Sequence, residues 1–209
     1  MGAFIVFEGC DGAGKSTQAR ILHKRLSRQG FSVRLTHEPG GTSLGEVVRR
    51  RLKSRSGLAP MTELLLFAAA RAELVQKVIV PELGSGEIVI CDRFTASTVA
   101  YQGHGRGMDL GLIDGLNETA APGLRPDLTV LVDVPVEVGL ARKKSGLNDT
   151  NDTFESEGAE FHQRVREGYI SLVAQDPGVW FVVDGTMDKR VTAAAIWERV
   201  QPLLGAGGG

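Results

Sequence analysis

The chain has 209 residues, 42% of them hydrophobic, and its 24 Lys and Arg against 25 Asp and Glu give a net charge of −1. This composition can bury a sizeable core and excludes a wholly disordered chain, and the balanced charge argues against a general nucleic-acid binder. No apolar run reaches the roughly 18 residues of a membrane span, no basic segment precedes the first apolar run, and Cys10 and Cys91 are the only cysteines, so a cytoplasmic protein without a disulfide framework is expected.

In chain order, Phe4–Glu8 is aromatic and β-branched and reads as a buried strand. A helix is expected over 13–29, ended by Gly30, then a strand over 32–37 and a short helix over 44–53 with a basic end. A long helix over 62–83 is apolar nearly all round at its centre and should be buried. A third strand is expected at 87–91, and helices at 95–101 and 110–119 around a glycine-rich loop. A fourth strand at 128–134, a helix from 135 to 144, a polar mobile loop over 145–153, a helix over 154–175, a fifth strand at 179–183 and a last helix over 191–204 complete the pattern. Strands separated by helices predict an α/β fold: a five-stranded parallel sheet with helices on both faces, forming one domain over 1–204 with a glycine-rich tail at 205–209. Ligands of such sheets sit at the carboxyl ends of the strands.

Directly after the first strand comes Gly9-Cys10-Asp11-Gly12-Ala13-Gly14-Lys15-Ser16, the pattern G-x-x-x-x-G-K-[ST]. Glycines let backbone N–H groups turn inward onto a polyphosphate, and the following helix adds its N-terminal dipole. Lys15 would reach the β- and γ-phosphates and the Ser16 hydroxyl a Mg²⁺ ion, with Thr17 next along the helix. The context of strand, loop and helix predicts a P-loop NTPase fold, with a glycine-rich turn and an exposed lysine as the alternative. The loop alone does not separate an ATPase, a GTPase and a kinase, but a guanine-specifying N-K-x-D is absent.

Two more strand ends should meet this loop. His37-Glu38-Pro39-Gly40-Gly41-Thr42 ends the second strand and Asp92-Arg93-Phe94 the third. Glu38 and Asp92 offer carboxylates to Mg²⁺ or a hydroxyl, and Arg93 a planar fork to a phosphate; a plain turn and a surface ion pair are the structural alternatives. Phe67 and Arg71 lie four residues apart on one helical face, suited to stack on a base and bond its edge, or to serve as a core Phe and a surface Arg.

Glu38–Thr42, Phe67–Glu73, Asp92–Phe94, Ser97, Ala100–Gly103 and Arg125–Thr129, in this order and spacing, resemble the thymidylate kinase family, as does Arg164-Val165-Arg166 followed by Tyr169. The resemblance implies ATP + dTMP → ADP + dTDP with Mg²⁺, in a homodimer. It implies that Gly9, Cys10, Asp11, Gly12, Ala13, Gly14, Lys15, Ser16 and Thr17 bind ATP. Lys15, Arg93 and Asp11 would be catalytic, and Ser16 and Asp92 would hold the metal. Phe67 would stack on thymine and Arg71 bond its edge; Ser97 and Thr98 would lie near the acceptor nucleotide. Tyr101 would pack beside the sugar where a 2′-hydroxyl would sit, and Gln102 near the base. Glu38 and Pro39 would flank the acceptor nucleotide. Arg49, Arg50 and Arg51 form a basic helix end that reads mostly as a solvated face, with Arg49 the candidate to point to the acceptor phosphate.

The chain departs from that pattern in the lid, about 143–155, where Asp152-Thr153-Phe154-Glu155 has threonine at the arginine position. Arg142, Lys143 and Lys144 are the cations available to take over, with Arg142 assigned to ATP. A kinase for another nucleotide and a nucleotide-dependent switch protein are the competing readings. Cys10 and Cys91 follow strands that could be neighbours and could approach each other, though plain buried thiols are the simpler expectation; Asp133 and Asp184 are expected as strand-end caps.

Overall fold

A computed structural model describes residues 2–54, 57–145 and 157–205. Its centre is a five-stranded, all-parallel sheet in the order β2-β3-β1-β4-β5. The strands are β1 (Phe4–Glu8), β2 (Val33–His37), β3 (Ile88–Asp92), β4 (Leu128–Asp133) and β5 (Trp180–Asp184). The helices are α1 (Lys15–Arg28), α2 (Ser43–Lys53), α3 (Pro60–Leu74), α4 (Val80–Gly84), α5 (Thr95–Thr98), α6 (Leu110–Ala120), α7 (Val136–Ser145), α8 (Ala159–Gln175) and α9 (Lys189–Gly205).

β1 is buried on both faces because it runs down the middle of the sheet. Alternation along the strand sends Ile5 and Phe7 into a core with α1 and α9, through Leu22, Leu26, Ile196 and Trp197. Phe4 and Val6 pack on the opposite side, against Leu74, Val75, Val78 and Ile79. The two cores lock the register that puts the phosphate loop, which follows Glu8, at the centre of the sheet's carboxyl edge.

Three expectations need correction. The helix expected over 62–83 is interrupted by a π-helical turn, Val75–Ile79, before α4. Pro81 is the cause: it has no N–H and its ring crowds the carbonyl four residues back, so the backbone widens. The glycine-rich stretch after α5 is no loop but a second π-helical turn, Val99–Gly105. Its glycines serve close packing: a Cβ on Gly105 would lie 2.7 Å from Phe161 of α8. The centre of α3 is not buried all round, for Leu64 is fully buried while Leu65 is 50% exposed. The strands of the two cysteines are neighbours, as expected, and the register sets Cys91 beside Val6, four residues before Cys10. Both are free and buried, and burial pushes the Cys10 thiol up to about 11.

Candidate active site

A cleft of about 600 Å³ opens at the carboxyl edge of β1, β2 and β3. Its wall includes Asp11, Gly12, Gly14, Lys15, Ser16 and Thr17 from the phosphate loop, Glu38, Pro39 and Arg49 from the second strand and its helix, and Phe67 and Arg71 from α3. Asp92, Arg93, Ser97, Thr98, Tyr101, Gln102 and Arg142 complete the set. Gly9, Cys10 and Ala13 lie behind this wall, in the loop that shapes it. The residues expected from three strand ends are therefore brought together.

The loop is held by contacts that only glycine permits. Gly12 has φ +73°, and a Cβ there would meet the Gly139 carbonyl oxygen at 2.1 Å. α7 thus approaches the loop through Gly139, whose own Cβ would stand 2.6 Å from the Asp11 carbonyl. Lys15 donates to the Cys10 carbonyl at 2.7 Å. Burial, and then the Arg93 charge, pull the Lys15 ammonium down to about 8. The Ser16 hydroxyl donates to Asp92 Oδ2.

Arg93 is the hub. It adopts φ 74°, an unusual value for a residue with a side chain. Nη2 donates to Asp11 at 2.5 Å and to the Tyr101 hydroxyl at 3.0 Å, and Nη1 to the Gly9 carbonyl, the Ser97 hydroxyl and the Tyr169 hydroxyl. Burial alone would raise the Asp11 carboxyl, but Arg93, Lys15 and Lys143 outweigh it and hold it well below the usual carboxylate range. Lys143 Nζ lies 3.6 Å from Asp11 Oδ2, and Arg142 donates to the Gly185 carbonyl at 2.8 Å. Lys144 is exposed and does not line the cleft. Asp152, Thr153, Phe154 and Glu155 lie outside the described residues.

Arg71 is 1% exposed and is more a strut than a surface arginine. Four of its five N–H groups are taken: by Glu38 Oε2 at 2.8 Å, Asn117 Oδ1 at 2.5 Å, the Phe94 carbonyl and the Thr98 hydroxyl. Burial raises the Glu38 carboxyl, against the lowering effect of Arg71. Glu38 Oε1 and the Thr36 hydroxyl are buried without a partner. The Glu38–Pro39 peptide is cis. Thr42 caps α2 by accepting from the Gly45 N–H, and Arg49 donates to the Pro39 carbonyl at 3.1 Å.

Three supports were not read from the sequence. Glu8 ends β1 fully buried and accepts from the Phe94 and Ser97 N–H groups and the Ser97 and Tyr169 hydroxyls. The only signal is a carboxylate closing an apolar strand. Asn117 carries none, since nothing in the spacing of α6 marks it. Asp133, expected as a cap, is instead gripped by both sides of the Arg166 fork at 2.8 and 2.7 Å.

Hard oxygen donors at Ser16 and Asp92, beside a cradle of backbone N–H groups, suit Mg²⁺, which takes few protein ligands and completes its shell with phosphate and water.

A family model described as thymidylate kinase matches residues 7–196. A thymidylate kinase of Citrifermentans bemidjiense is 50% identical, with 99% of this chain and 96% of the relative covered. One from Thermomicrobium roseum is 48% identical over 99% of this chain and 98% of its own. The crystal structure of thymidylate kinase from Ehrlichia chaffeensis superposes with a TM-score of 0.79 at 37% identity, covering 96% of this chain and 98% of that one.

Proposed function

The chain belongs to the thymidylate kinase family and transfers the γ-phosphate of ATP to dTMP, giving ADP and dTDP, and we propose how its own side chains divide that work. The observation that carries the assignment is the gathering of loop, Arg93 and the Phe67–Arg71 face in one cleft. The acceptor is a phosphate oxygen already ionised at neutral pH. The reaction then needs positioning and charge neutralisation rather than a strong base.

Lys15 and the loop amides take the donor phosphates. Arg93, oriented by Asp11, Tyr101, Ser97 and Tyr169, bridges donor and acceptor phosphates. Arg49 stands on the acceptor-phosphate side. Phe67 stacks on the thymine ring, and the remaining Nη1 hydrogen of Arg71 meets its edge together with Gln102. Tyr101 closes the space beside C2′. Thr98 and Glu38 act through Arg71. Mg²⁺, held by Ser16 and Asp92, would neutralise charge on the transferring phosphate.

Lys143 is the best-supported replacement for the lid arginine, because its ammonium stands 3.6 Å from Asp11 Oδ2 in the phosphate loop. Lys143→Ala should lower kcat about tenfold or more with little change in the KM for dTMP, and Lys144→Ala should change neither; equal kcat in wild type, the single variants and the triple alanine variant would rule the idea out.

The homodimer is proposed from the apolar face that α3 leaves open, with Met61 at 44% and Leu65 at 50% exposure. No helix among the described residues is long and apolar enough to cross a membrane. Work in the cytoplasm is proposed from the nucleotide substrates. The assignment is tested by coupled ADP release with ATP, Mg²⁺ and either dTMP, dUMP, dCMP, dGMP, AMP or no acceptor. A strong preference for dTMP is expected; turnover without that preference, or none, would overturn it.

A further inference from the structure

Gln102 is 1% exposed yet contributes to the cleft wall. Its Nε2 donates to Glu63 Oε1 at 2.8 Å. Glu63 is itself buried in the first turn of α3, and Arg106 holds it with a fork: Nε to Oε1 at 2.8 Å and Nη2 to Oε2 at 2.9 Å. We propose that Glu63 and Arg106 are positioning residues that fix the Gln102 amide with its carbonyl toward the cleft, so that the pocket accepts a pyrimidine carrying N3–H and rejects one that lacks it. The proposal rests on the dTMP kinase reading for the statement that a pyrimidine binds here.

A glutamine amide presents a donor at one end and an acceptor at the other, and flipping it by half a turn exchanges them. A carboxylate accepts only. Facing Glu63, the amide must turn its NH₂ toward α3, and the group left for a ligand is Oε1. Arg106 keeps Glu63 in that state, since its two parallel bonds fix both the carboxylate plane and its charge. The spare Nη1 hydrogen of Arg71 is the donor on the same wall. One fixed acceptor and one fixed donor complement the N3–H and C4 carbonyl of thymine or uracil. Cytosine presents an acceptor at N3 and a donor at C4, so both pairs mismatch and buried polar groups are left unpaired.

Arg106 also donates Nη1 to Glu157 at 3.0 Å, a contact that does not touch Glu63. This allows a control.

The test is steady-state kinetics of the full chain with dTMP and dCMP at saturating ATP, for wild type, Glu63→Gln, Arg106→Lys and Glu157→Gln, each with its melting temperature. Gln at 63 can accept or donate, which frees the Gln102 amide to flip. Lys at 106 keeps the charge and loses the fork. The dTMP-to-dCMP ratio of kcat/KM should fall at least about tenfold in Glu63→Gln, chiefly through KM, and fall in the same direction in Arg106→Lys. Glu157→Gln should keep the wild-type ratio. A ratio unchanged in the first two variants, with both activities reduced in proportion to lost stability, overturns the proposal and leaves the kinase reading standing. So does a ratio lowered equally by Glu157→Gln. Should Glu63→Gln not fold, Arg106→Lys decides alone. Wild type without dTMP turnover would instead refute the kinase reading.

Discussion

Arg93 draws its position from residues that sequence spacing does not connect. Glu8 anchors the backbone just after it, at Phe94 and Ser97, and the Tyr169 hydroxyl ties Glu8 to the guanidinium. Removing the carboxylate with Glu8→Ala strands two backbone N–H groups and should cost about 2–4 kcal/mol in urea unfolding, with a parallel fall in kcat as Arg93 loosens. Burial raises the Glu8 and Glu38 carboxyls above their ordinary 4.5. Above that pH the folded state holds protons the unfolded chain has released. Their contribution to stability is fully present below pH 4.5 and is lost as pH rises through the folded-state values. Glu8→Gln should flatten that slope, measured as unfolding free energy against pH. Lys15 gives a functional counterpart. With its ammonium drawn down to about 8, kcat/KM for ATP should fall as pH passes 8. The profile of kcat, which reports the nucleotide complex, should stay level to higher pH.

At the scale of elements, the phosphate loop and α7 form a single unit through two glycines back to back, Gly12 and Gly139. α7 carries Arg142 and Lys143, so this contact sets how near those cations come to the phosphates. Gly139→Ala would push its methyl against the Asp11 carbonyl, which has little freedom to move. A stability loss of about 1–3 kcal/mol is expected, with a raised KM for ATP; unchanged ATP kinetics would show that α7 does not set the loop. The loop itself was legible as sequence because its chemistry lies in eight contiguous residues. Its dependence on α7 was not, since Gly139 carries no motif. The π-helical turns were hidden for a related reason. Gly103 and Gly105 look like loop residues, yet they pack tightly against Leu110 and Phe161, and that packing keeps the stretch helical.

For the whole molecule, the strand order β2-β3-β1-β4-β5 makes the site, because it sets the ends of β1, β2 and β3 side by side. The face of α3 around Met61 and Leu65 remains open. Leu65→Asp places a charge at the middle of that face and should convert a dimer to a monomer in light scattering, with the folded monomer retained; a mass unchanged from wild type would remove this face from the interface. An amphipathic pattern would have flagged the exposure, but α3 is apolar on nearly every side, so sequence could not say which side lacked a partner.

The alternation of strands and helices, the phosphate loop and the motif set around Glu38, Phe67, Asp92 and Tyr101 are legible in the chain alone. These are local properties, written in contiguous runs and fixed spacings. What each charged group does emerges from the packing. Arg71 is a buried strut held by Glu38 and Asn117, Asp133 is a bidentate partner of Arg166, and Gln102 is aimed by Glu63 and Arg106. Those pairs join residues 33 to 46 positions apart in the chain. Partners that distant are chosen by packing geometry, and a one-dimensional pattern carries no record of it.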